Sequence, residues 1–114
     1  MARDLYTGQD FDFLARLQYR ENPLRINDDA TVRAGVFSER GEVLLDWISF
    51  SKNNGQDTDW QLGVVAERLP ATSTEGLPVG AAELRINVQG SDEDRDGNIG
   101  QSYDRTWSFT VSIR

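Results

Sequence analysis

The sequence contains no cysteine and no histidine. Without thiols there is no disulfide framework and no thiolate metal site. Without imidazole the commonest general base, the usual activator of a nucleophilic serine and the main zinc ligand are missing. No G-x-x-x-x-G-K-[ST] phosphate loop occurs, and Gly97 with Gly100 does not make one. Carboxylate pairs could still serve hydrolysis, but 19 Asp and Glu in 114 residues meet often by chance. The chain is therefore expected not to be an enzyme; a small carboxylate hydrolase, which a turnover assay would reveal, is the third-ranked reading. No apolar run approaches the roughly 20 residues that cross a bilayer, and Met1-Ala2-Arg3-Asp4 lacks the apolar core of a signal peptide. Both point to a protein made and kept in the cytosol.

Lysine is nearly absent too. Of the 12 basic residues only Lys52 is Lys, and the rest are Arg. Arg has a planar fork that pairs with carboxylates and stacks on aromatics, which suits a contact surface. A GC-rich genome would give the same bias. The net charge of −7 makes nucleic acid a poor partner. The length fits one domain, residues 1–114, large enough to bury a core without staples.

Period-2 alternation dominates, which places successive side chains on opposite faces of a strand. Phe11, Phe13, Ala15, Leu17 and Tyr19 form one such apolar set. Ala30, Val32, Ala34 and Val36 form a second, and Ala82, Leu84, Ile86 and Val88 a third, opposite Glu83, Arg85, Asn87 and Gln89. The last segment sets Tyr103, Arg105, Trp107, Phe109, Val111 and Ile113 against a row rich in Thr and Ser. Val43 to Phe50 is apolar on both faces apart from Asp46 and Ser49, the mark of a central strand. Asp59 to Ala66 is expected to put Trp60, Leu62, Val64 and Ala66 on one side.

Turn residues fall between these runs. Gly41 in Glu39-Arg40-Gly41-Glu42 sits where a hairpin needs positive φ. Ser51 to Thr58 reads as a polar loop, and Asn22-Pro23 ends the first strand, after which Leu24 and Ile26 tuck under the sheet edge. Pro70, Gly76 and Pro78 limit Glu67 to Val79 to one short turn around Thr72 to Leu77. Six strands and no substantial helix predict an all-β, two-layer antiparallel β-sandwich of about six to eight strands, with a small barrel as the alternative.

One motif carries chemistry. Asp92, Asp94 and Asp96, followed by Gly97 and Ile99, read D-x-D-x-D-G-x-I, the first two-thirds of a calcium loop. The position that should hold a bidentate Glu holds Tyr103, so any Ca2+ would be bound weakly. An acidic hairpin tip is the competing explanation. If the three aspartates hold the ion, millimolar calcium raises the melting temperature, and Asp94→Asn or Asp96→Asn abolishes the rise. No other cofactor is implied. Trp47, Trp60 and Trp107 suit sugar stacking in principle but lie on apolar faces, Trp47 beside Val43 and Leu45, so all three are assigned to the core. Arg16, Arg33 and Arg85 lie on the less apolar faces and are the candidates for a partner surface.

The order of landmarks carries a resemblance. Gly8-Gln9-Asp10-Phe11 opens the first strand, and Leu24-Arg25-Ile26-Asn27-Asp28 precedes Ala30-Thr31-Val32-Arg33-Ala34-Gly35-Val36-Phe37. A Gly hairpin, Ala71-Thr72-Ser73-Thr74, Leu77-Pro78-Val79-Gly80 and Thr106-Trp107-Ser108-Phe109-Thr110-Val111 follow. From about Tyr6 to Ile113 this resembles the immunoglobulin-like virion domains of tailed phages, such as the N-terminal domain of siphophage baseplate upper proteins. The resemblance implies an immunoglobulin-like sandwich without catalytic residues. It further implies a bacteriophage virion structural protein, an oligomeric adaptor or capsid-decoration module on tail, baseplate, fibre or capsid. Its partners would then be other virion proteins in a symmetric assembly, with no nucleic acid or membrane contact. The alternative is a carbohydrate- or receptor-binding β-sandwich module that depends on calcium, which a glycan array would separate.

Overall fold

In the computed structural model the described residues are 3–19, 22–24, 26, 30–50, 60–93 and 99–114. They form an all-β sandwich. One layer is a five-stranded sheet in the order β1-β9-β8-β5-β6, built from β1 (Arg3–Leu5), β5 (Thr31–Ser38), β6 (Val43–Phe50), β8 (Gly80–Glu93) and β9 (Ile99–Ile113). The other is the pair β2 (Phe11–Arg16) and β7 (Val64–Leu69), and a further bridge joins β3 (Gln18–Tyr19) to β4 (Asn22–Pro23). Neighbouring strands run antiparallel with one exception: β1 pairs parallel with β9, Arg3 opposite Val111 and Leu5 opposite Ile113. The sequence pattern did not mark β1, because three residues are too few to show a period. It is held at its ends, where Arg114 N donates to Leu5 O at 2.8 Å and the Arg114 guanidinium meets Asp4 at 2.8 Å. Among the described residues no helix is long and apolar enough to cross a membrane.

The core lies where the alternating apolar sets of the two layers meet. Phe11, Phe13, Ala15 and Leu17 from the small layer face Val32, Ala34, Val36, Ala82, Leu84, Ile86 and Val88 from the large one, and all are buried. Phe13 and Phe50 meet edge to face at 6.0 Å, a contact that joins the layers. Leu24 and Ile26 are buried, as the sequence predicts. The Ser38–Glu42 hairpin closes through Ser38 N donating to Glu42 O, with Gly41 at φ 86.

Three expectations are corrected. Val43–Phe50 is an edge strand, not a central one. Its apolar residues fall on both faces because two register shifts interrupt the pairing with β5, between Ala34/Val36 and Val36/Phe37. Each extra residue reverses the alternation. Leu45, Ile48 and Phe50 therefore pack on the core, while Trp47 leaves the face of Leu45 and stacks on Phe37.

The strand expected over Asp59 to Ala66 is not continuous in its described part, which begins at Trp60. Trp60–Leu62 is a 3-10 turn, and the strand begins at Val64. Gly63 separates them at φ 73, and a Cβ there would run into the backbone carbonyl of Leu17 and the backbone of Leu24. This close approach turns the chain, so the inward row is Val65, Glu67 and Leu69; Ala66, on the other face, is also buried, and Leu62 is exposed. The strand continues to Leu69 before the four-residue α1 (Ala71–Thr74). The one short turn was expected in this stretch; the strand before it was hidden by Glu67.

The third correction concerns β9. Cross-strand partners share a face, so Trp107 and Phe109, opposite Ile86 and Leu84, point inward. Among the described side chains of this face only Val111 and Ile113 are fully covered; Phe109 is 37% exposed and Trp107 half-buried. Two strands are too few to roof five, and the inner face of β9 runs out from under them.

Candidate functional site: the outer face of the large sheet

The outward residues of β8 are the alternating set Glu83, Arg85, Asn87 and Gln89, with Arg33 and Phe37 beside them on β5 and Asp104 and Thr106 on β9. Asn87 is the hub. It is buried, accepts from Arg33 Nε at 3.0 Å, and its amide nitrogen lies 2.6 Å from Asp104 Oδ1 and 3.1 Å from Thr106 Oγ1. Gln89 Nε2 donates to the other Asp104 oxygen at 3.2 Å. A buried amide saturated in this way fixes its neighbours, since breaking any one bond strands a polar atom.

Two arginines are pinned on aromatic rings. The Arg33 guanidinium lies 4.6 Å from the centre of the Trp47 ring, and that of Arg85 lies 4.6 Å from the centre of Phe37. The two rings are themselves 5.2 Å apart. Glu83 holds Arg85 from the side at 2.9 Å. Gly35, opposite Arg85, leaves room for this stack: a Cβ there would lie 3.0 Å from the Phe37 ring and 2.9 Å from Leu45 O. The result is a flat, polar, arginine- and aromatic-bearing face whose side chains are already ordered. It presents hydrogen-bond donors and stacked cations.

Of the three arginines singled out by the sequence, the fold brings Arg33 and Arg85 together on this face. Arg16 is separated from them, on the outer side of the small layer. Trp47 belongs to this site rather than to the core. The bulges in β6 decide that, and no periodicity could have shown it. Asn87 was placed on the polar row, but its burial depends on having partners on both sides. Asp92 lies on β8, whereas Asp94 and Asp96, with the Asp92 side chain, are outside the described residues. Among the described residues no group of three Asp or Glu is placed to hold a metal.

Two further features lie elsewhere. Glu67, inward on β7 opposite Phe13, is wholly buried, and neither carboxyl oxygen has a hydrogen-bond partner. Burial pushes its pKa up to about 7. A cavity of about 550 Å³ opens between β2 and β9, lined by Arg3, Phe11, Leu14, Ala15, Phe109 and Thr110 among others.

The fold and this face define an all-β sandwich with an ordered polar sheet surface. In comparison with known proteins, no family model, no curated protein and no solved structure matches the chain.

Proposed function

We propose that this protein is a non-enzymatic assembly module, a structural component of a tailed-phage particle that docks on a neighbouring virion protein through the outer face of its large sheet. The observation that carries the docking reading is the pair of arginines stacked on Trp47 and Phe37 and locked by Asn87 and Glu83. Arg and Trp are the side chains that dominate binding energy at protein interfaces, and ordering them beforehand lowers the entropy lost on contact. The particle setting rests on the strand and turn landmarks shared with immunoglobulin-like virion domains. A sugar platform is less well supported. Trp60 is buried, Trp107 directs its Nε1 at Gln18 O at 3.4 Å, and one face of Trp47 is covered by Arg33.

The test is mass spectrometry of density-purified particles, with the wild-type gene and with Arg33→Glu/Arg85→Glu. The wild-type protein is expected in the particle. The double variant, melting within a few degrees of wild type, is expected to be lost from it by tenfold or more. Absence of the wild-type protein, with normal assembly after gene deletion, would sink the structural role. Undiminished incorporation of the variant would move the docking surface elsewhere.

A further inference from the structure

β2 has one paired edge and one open edge among the described residues. Each residue of β2 from Phe11 to Arg16 pairs with β7 on one side, and no strand pairs with the other side among the described residues. That open edge borders the cavity, which Phe11, Phe13, Leu14 and Ala15 line from β2 and Ser108, Phe109 and Thr110 line from β9. Between Ser108 and Thr110, β9 also has no paired strand on this side among the described residues, where β1 pairs from Val111 to Ile113. An uncapped strand edge beside a half-exposed Phe109 is a template for another strand.

The outward row of β2 reads Asp12, Leu14, Arg16, with Leu14 51% exposed. Read against itself in the antiparallel direction, this row is self-complementary. With Leu14 on a two-fold axis, Leu14 meets Leu14 of a second copy, and Asp12 faces Arg16 twice. Arg16 makes no ion pair among the described residues and is available for this. Asp12 already takes a fork from Arg68 at 2.6 and 3.1 Å, so each ionic row would run Arg68, Asp12, then Arg16 of the other copy. The neighbouring registers that keep the faces aligned are worse. An axis at Phe13 sets Asp12 against leucine, and one at Ala15 sets Leu14 against arginine. A one-residue slip of one strand against the other would turn apolar residues outward. Opposite charges directly across an antiparallel pair are favourable and like charges are not.

We infer that two copies of this chain associate through an antiparallel β2–β2 pair centred on Leu14, which joins the two small layers into one four-stranded sheet. The contact is isologous, so it closes at two copies and leaves both large-sheet outer faces free. It does not depend on the proposed function.

The chain has no cysteine, so a single introduced thiol reports on the axis. Leu14→Cys is expected to give a covalent dimer on mild oxidation, whereas Val79→Cys, on a 78% exposed residue away from β2, is not. Sedimentation equilibrium is expected to show a concentration-dependent wild-type dimer. Asp12→Arg and Arg16→Asp alone should each weaken it by tenfold or more, and mixing the two should restore association as a heterodimer. The mixture also guards against misfolding, since neither damaged chain could recover by pairing. A wild-type monomer at all concentrations, equal crosslinking at both thiols, or no restoration on mixing would overturn the inference.

Discussion

Glu67→Gln is expected to stabilise the fold at pH 8 and to leave it almost unchanged at pH 4.5. The carboxyl of Glu67 is wholly buried among Val65, Leu69 and Phe13, with no partner for either oxygen. Burial raises its pKa from 4.5 in the open chain to about 7 in the folded one. Between those values the folded state holds a proton that the unfolded state has released. Stability therefore falls as pH rises through this window, by up to about 1.4 kcal/mol per unit. Above pH 7 the full cost, about 3 kcal/mol, is in place; below pH 4.5 it is absent. Gln keeps the shape and cannot ionise, so it removes the slope. Thermal melts of both proteins from pH 4.5 to 8 would show a melting temperature that drops across this window for wild type relative to the variant. Curves that stay parallel would mean that Glu67 is not buried as a lone acid. Glu67→Leu is expected to be more stable still, because it also removes the orphaned oxygens.

The second large effect belongs to Trp60. Its side chain heads the fully buried ones and sits where the 3-10 turn meets the core, while its carbonyl oxygen accepts from Ile26 N and Gly63 N. Trp60→Ala removes that volume from a closed site and is expected to cost about 3–5 kcal/mol. For a domain of this size that is a fall of roughly 10–20 °C in melting temperature. Trp107→Ala, at a half-buried ring on the uncovered part of β9, should cost less than half as much, although the regular alternation around Trp107 makes it the more obvious core position. Trp60→Phe should be mild, because the indole N–H has no partner to lose. Equal losses for Trp60→Ala and Trp107→Ala would mean that the roof over β9 is more complete than the structure has it.

Much of the sandwich was legible in the sequence because burial on one face writes itself as a period of two. Phe11 to Leu17, Val32 to Val36 and Ala82 to Val88 face the core as their alternation predicts. The polar row Glu83, Arg85, Asn87, Gln89 likewise lies on the outer face. What failed did so where local pattern and tertiary position part. In Val43–Phe50, two bulges reverse the alternation, and apolar residues on both faces of an edge strand look like a central strand. At Gly63 the constraint is the carbonyl of Leu17, a residue far away in the chain, so no window around Trp60 contained the reason for the turn.

The sequence by itself determined the class of the protein. It left a sandwich and a small barrel both open, but it settled an all-β fold, the inward sets of its long regular strands, and the absence of cysteine and histidine with the chemistry they would bring. Those follow from residue type and spacing along the chain. Which arginines act together, which tryptophan is core and which is surface, and which strand edge stays open were decided only by the tertiary structure. Each depends on what lies across from a residue: Asn87 joins Arg33 to Asp104 across three strands, and the edge of β2 stays open because, among the described residues, no strand follows it in its sheet. Glu67 shows the same division most sharply. An acid in a strand reads as a solvent-facing residue, and only the closing of the second layer over it makes it a buried one.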